Sequence, residues 1–207
     1  MQRTHWLSFA PLLALAGALL ACDTLTRLGA LPQPTATATA AATTAPASGE
    51  TPLHIEAGPI IGSPRETRVA VAEQVSLLEH LAQERYDAEA LAEVGRTFTY
   101  TVPLDEEQDL LWAYGWCATT QALLEQNLED MTLDFSVNGT VVDIRQFEIL
   151  GDSPNGGACL YFAAVVYAWP QGATRLEVKV TYEARINDGI SDYAPGSQTF
   201  VYIVNRP

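Results

Sequence analysis

Cys117 and Cys159 carry the most definite chemistry in the body of this chain. Neither has metal-ligand spacing around it, and no histidine lies near either in sequence. Pairing with each other is therefore favoured over a metal centre or a catalytic thiol. Both lie in apolar, strand-like sequence, and a bridge between strands would close a loop of about 40 residues, contributing on the order of 3–4 kcal/mol. His54 and His80 offer little: His80 sits beside Glu79 in a helical pattern, on a face expected to be solvated. A histidine base needs a nucleophile and an orienting group within reach. No G-x-S-x-G, H-E-x-x-H, phosphate-loop or dinucleotide glycine pattern accompanies either one. Carboxylates are abundant. Asp105, Glu106, Glu107 and Asp109 crowd one acidic turn and read as a solvated loop. In Asp188-Gly189-Ile190-Ser191-Asp192, the oxygens of Asp188, Ser191 and Asp192 are of the type that calcium takes, without EF-hand spacing. The alternative there is a polar turn made by Asn187 and Gly189. Asp152-Ser153-Pro154-Asn155-Gly156-Gly157 has the same two readings, and no other cofactor is suggested. Trp112, Tyr114, Trp116, Tyr161, Tyr167 and Trp169 alternate within apolar runs. Exposed rings at Trp112 and Trp169 would bind sugars or peptides, whereas buried ones would supply much of a small β core. Tyr161, Tyr167 and Trp169 share parity with Cys159, so they belong to the core if Cys159 points inward.

The elements that must position these residues change period once. Residues 51–95 read as a helical segment packing on the domain. Val69, Ala72, Val75, Leu78, Ala82 and Tyr86 recur every three or four residues, and Gly95 is the stop. Asp87 caps a separate short turn through Leu91. Residues 96–207 read at period two. Strands are expected over 97–102, 110–117, 131–137, 140–144, 159–169, 174–186 and 199–204. A short helix over 119–130, capped by Thr119 or Thr120, buries Leu123, Leu124 and Leu128. Asn138-Gly139 between two alternating runs predicts a tight hairpin turn rather than a glycosylation site. The expected fold is mainly β: an immunoglobulin-like β-sandwich with a preceding helical segment and one short inter-strand helix. Trp112 or Trp116 is expected beside the disulfide.

The N-terminus has a different logic. Arg3 precedes an apolar run over residues 6–20, broken only by Ser8, which ends in Leu19-Leu20-Ala21-Cys22. Charge, apolar stretch and cleavage site follow the order of a secretory signal. The run falls short of the roughly 20 apolar residues that span a bilayer easily. Leu19-Leu20-Ala21-Cys22 resembles the lipobox of bacterial lipoproteins. That resemblance implies a signal peptide over 1–21, cleavage before Cys22, and lipid on the thiol and new amino group of Cys22. Residues 22–50 then form a tether: LPQPTATATAAATTAPAS has no charge, aromatic or hydrophobic period and cannot build a core.

A formal net charge of −14 argues against nucleic acid and anionic lipid head groups as partners. Membrane lipid through Cys22 is the expected anchor, on the extracytoplasmic face of the cell membrane. A non-catalytic binding or scaffolding role at the envelope is expected, toward an envelope protein or glycan. The alternatives are a hydrolase using loop carboxylates and a solute or glycan receptor using exposed aromatics.

Overall fold

Alternation at 97–103 buries Phe98, Tyr100 and Val102 on one side of a strand, and the same arithmetic repeats through the chain. The computed structural model describes residues 51–144, 148–152 and 157–207. Residues 1–50, with the expected signal peptide, Cys22 and tether, lie outside the described residues, as do 145–147 and residues 153–156 of the second polar loop.

The elements are β1 (Leu53–His54), β2 (Ile60–Ile61), α1 (Pro64–Ala72), α2 (Leu78–Leu81), α3 (Ala88–Leu91), β3 (Thr97–Pro103), β4 (Leu110–Ala118), α4 (Gln121–Glu129), β5 (Met131–Val137), β6 (Thr140–Val142), β7 (Glu148–Asp152), β8 (Ala158–Tyr167), β9 (Gly172–Tyr182), β10 (Ile186–Asn187), β11 (Asp192–Tyr193) and β12 (Gly196–Arg206). The fold is mainly β. One sheet runs β3-β12-β9-β5-β6, with β3 parallel to β12 and the other neighbours antiparallel. In the other sheet β8 is central, with β4 along one edge and β7 and β2 sharing the other; β1 pairs with β2. β10 and β11 form a small separate hairpin. The two large sheets face each other across one apolar core. Trp112 packs on Phe135, Tyr114 on Phe200 and Trp116 on Tyr182, with ring centroids 5.4, 5.7 and 5.8 Å apart.

Local signals place several elements as expected. Thr120 caps α4, its hydroxyl accepting from Leu123 N at 3.2 Å. Asn138 and Gly139 both take positive φ, 49° and 82°, the twist a two-residue hairpin requires. Strand boundaries shift by a few residues, and β7 forms outside the expected strands.

The continuous helical segment does not form. α1 starts well, at a reciprocal Ser63–Glu66 capping box with Pro64 in its first turn. It ends where Gln74 turns left-handed (φ 58°) and Val75 N returns to Ala70 O at 2.9 Å. The chain then extends so that Ser76 O accepts from Leu111 N at 2.8 Å, and Leu78 enters the main core. A straight helix could not make that edge contact. The helical face is also out of phase with the periodicity: Thr67 and Ala70 are buried, while Val69 is 49% exposed.

Cys159 points the opposite way from the core. On β4 and β8 the core-facing residues are Leu110, Trp112, Tyr114, Trp116, Leu160, Phe162, Ala164 and Val166. Their odd-numbered neighbours, Cys117, Cys159, Tyr161 and Tyr167, therefore lie on the outer face. Trp169 escapes this parity because Ala168, at φ 52°, breaks the strand and lets the indole turn back into the core. Cys117 and Cys159 are directly opposed across β4 and β8 and are joined by a disulfide. Tyr161 lies over this outer face: a Cβ on Gly115 would come within 2.6 Å of its ring, so a larger residue there would have to displace the ring.

The disulfide joins positions 42 apart in sequence. Replacing both Cys117 and Cys159 by serine should lower unfolding free energy by about 2–4 kcal/mol in urea titrations, with the fold retained. An unchanged midpoint would show that the sheet pairing alone holds this region.

Candidate functional site

β4 is an edge strand, and its free edge borders an open groove. A groove of about 570 Å³ runs beside Ala113, Tyr114, Gly115, Trp116 and Cys117, with Gln198, Phe200 and Tyr202 of β12 also lining it. Leu78, Glu79, Ala88 and Leu91, from α2 and α3, stand over it, and Asp188 and Tyr193 contribute from the small hairpin.

The alternation that builds the core also puts phenol groups here. Tyr182 donates to Gln198 Oε1 at 2.5 Å. Gln198, only 1% exposed, donates onward from Nε2 to the carbonyls of Leu91 and Glu93, at 2.7 and 3.0 Å. These bonds tie the α3 region to β9 and β12 with no buried charge. At the two acidic groups lining the groove, Tyr202 donates to Glu79, and Tyr193 donates to Asp188 Oδ2 at 3.1 Å. Burial raises the hydroxyl pKa of Tyr182 to about 12 and that of Tyr114 well above its ordinary value. Burial, reinforced by Glu79, raises Tyr100 and Tyr202; burial, reinforced by Asp188, raises Tyr193. The groove therefore presents neutral hydroxyls and aromatic faces near neutral pH, a surface suited to holding a ligand.

Trp112 and Trp169, for which the sequence offers either a platform for sugars or peptides or a place in the core, are 0% and 1% exposed. Trp112 meets Phe135 in the core, and Trp169 donates from Nε1 to Gln108 O at 3.0 Å. Neither can stack on a ligand, because both rings are spent on the sandwich interior. The indole nitrogens of Trp112 and Trp116 are buried with no partner among the described residues. In the Asp188–Asp192 loop the carboxylate of Asp188 is taken by the turn itself. Oδ1 accepts from Ile190 N and Ser191 N, both at 2.7 Å, and Asn187 donates to Asp192 at 3.0 Å. The polar-turn reading describes these contacts, and no group of three or more His, Cys, Asp or Glu residues able to hold a metal occurs among the described residues. His80 is exposed on α2, and Glu107 of the acidic turn pairs with Arg206 at 3.2 Å. The carboxyls displaced from their ordinary range, Glu66 and Glu84, are displaced downward, by backbone hydrogen bonds from Ser63 and Thr101 respectively. Neither lines the groove.

Sequence reasoning missed Tyr182, Tyr193, Gln198 and Tyr202 as neighbours, since they come together only when β9 and β12 face β4. One signal was present: Gly115 in the middle of an aromatic strand, where a glycine marks a close approach. No family model, curated protein or solved structure matches the chain.

The raised Tyr182 pKa has a defined consequence. Its contribution to stability is complete below the ordinary tyrosine value of 10.0 and is lost as pH rises through about 12. Tyrosinate absorbance should show the Tyr182 class ionising only near that upper value, together with unfolding. Ionisation of Tyr182 near its ordinary value in folded protein would contradict the buried network.

Proposed function

We infer that this protein is a lipid-anchored extracytoplasmic binding module, held by Cys22 and engaging its ligand through the groove beside β4. The single observation carrying the binding half is the groove itself: an opening of about 570 Å³ lined by aromatic faces and hydroxyls that stay protonated near neutral pH. A glycoside hydrolase would instead call for a carboxyl raised above its ordinary range and poised near a second one.

The domain itself is best read as an immunoglobulin-like sandwich. Taking β3, β4, β5, β6, β7, β8, β9 and β12 as strands A, B, C, C′, D, E, F and G gives one sheet ordered B-E-D and another ordered A-G-F-C-C′. Two features are its own: the disulfide joins neighbouring B and E strands within one sheet, and Trp116, next to Cys117, faces away from the bridge into the core.

The anchor half rests on the lipobox-like run ending at Cys22. Among the described residues no helix is long and apolar enough to cross a membrane. In this reading the acidic domain is held by acyl chains alone, each buried CH₂ contributing about 0.8 kcal/mol. The tether concentrates the groove near the membrane surface.

Mass spectrometry of the membrane fraction should find acyl chains on Cys22 as the mature N-terminus, and Cys22→Ala should move the folded protein to the soluble fraction. A mature N-terminus elsewhere would remove the anchor from this reading. For the groove, the full chain in detergent should bind one ligand class on a mixed array of glycans and unstructured peptides, unchanged in mass afterwards. Ala88→Trp, at an exposed lining position, should abolish that signal. Binding insensitive to Ala88→Trp, or turnover of an arrayed compound, would replace the groove-binding reading.

A further inference from the structure

β4 pairs one-to-one with β8 from Leu110↔Val166 to Ala118↔Ala158, without a bulge. Main-chain groups along such a strand alternate strictly between its two edges. Contacts fix the phase. Leu111 N donates away from β8, to Ser76 O at 2.8 Å, and Thr119 N donates to Asp188 O at 2.8 Å. Across the pair, Val165 turns its carbonyl away from β4, accepting from Gly62 N at 2.7 Å. Between Leu111 and Thr119, the residues whose N–H and C=O face the free edge are therefore Ala113, Gly115 and Cys117. All three line the groove, and none of these groups has a partner among the described residues.

We propose that β4 takes an extended peptide of a partner protein as an added strand, pairing with Ala113, Gly115 and Cys117 and laying alternate side chains into the tyrosine groove. The proposal rests on the groove-binding reading and names its ligand class.

Four features define the occupant. Donor and acceptor repeat together every second residue, about 6.8 Å along the strand, which is the spacing of a polypeptide main chain. Between its covered ends the edge carries no blunting device in its own sequence: LLWAYGWCA contains no charge, proline or bulge. The same edge already accepts this chain's own Ser76–Leu77 segment, in parallel at Leu111, and Asp188 at Thr119. Those two segments close the ends and leave a gap suited to one strand, not to a second sheet. Finally, among the described residues lining the groove only Glu79 and Asp188 belong to the Asp, Glu, Lys, Arg and His types, and the chain carries a net charge of −14. A neutral or basic peptide with apolar alternate residues fits, and an acidic one does not. This is strand addition, with affinity from main-chain bonds and selectivity from the groove.

The test uses the full chain in detergent and a capped peptide of about seven residues, alternating valine and threonine with lysine at each end. Two further versions carry N-methyl groups on alternate backbone nitrogens, in complementary sets. Titration calorimetry should find binding of the unmodified peptide. One methylated set should bind about tenfold more weakly, because its lost N–H groups face β4, and the other should bind within about twofold. Ala113→Pro removes an outward N–H without touching the β4–β8 ladder and should abolish binding, with the Cys117–Cys159 bridge and circular dichroism unchanged. Equal losses in the two methylated sets would overturn strand addition, as would no binding of the unmodified peptide. A concentration-dependent dimer abolished by Ala113→Pro would assign the edge to a second copy instead. If only glycans give an Ala88→Trp-sensitive array signal, the peptide proposal fails and the groove-binding reading stands. If no ligand class gives such a signal, both fail.

Discussion

The register of β4 against β8 is the constraint on which the remaining architecture depends. Cys117 and Cys159 sit directly opposite one another, and the bridge between them admits no slip. With that pairing set, period two puts Trp112, Tyr114 and Trp116 into the interior and the disulfide outside. The same pairing turns the main-chain groups of Ala113, Gly115 and Cys117 to the free edge. A shift of one residue would send the indoles to solvent, drive Ala113 and Gly115 into the core, and reverse the edge.

The segment before the sandwich serves that edge. Its periodicity supports helix, yet a left-handed Gln74 interrupts it so that Ser76 can bond Leu111 and Leu78 can reach the core. Burying one leucine and satisfying one strand-edge donor outweigh the propagation of a helix whose Val69 faces solvent. α2 and α3 then stand over the groove, and Gln198 fastens the α3 region from within, its amide holding the carbonyls of Leu91 and Glu93. The groove exists because the chain covers part of the β4 edge and leaves the rest.

Much of the β domain was legible residue by residue. Asn138-Gly139 needs two positive φ angles and received them; Thr120 caps α4 by local chemistry; the Thr97–Pro103 alternation buries every second residue. The direction of Cys159 was not legible, because parity says which residues share a face and not which face is the core. Trp169 reaches the core by a route parity does not show: one left-handed residue, Ala168, switches sides, and nothing in its side chain announces that. Of the two readings of Trp112 and Trp169 the interior one holds, while the tyrosines of the groove lie far apart in the chain and were not grouped.

The sequence alone determined what depends on near neighbours: the lipobox-like run at Cys22, an uncharged Thr-, Ala- and Pro-rich composition over residues 31–48, a mainly β domain, its hairpin turn, and two cysteines in the domain with only each other to pair with. Tertiary structure decided what depends on which strands lie side by side. It put the disulfide within one sheet on its outer face, and it gathered Tyr182, Gln198 and the carbonyls of Leu91 and Glu93 into one hydrogen-bonded chain. It also left part of one strand edge open. The reason is physical: turn and cap energies are local, whereas strand order and facing are set by burial summed over the whole domain.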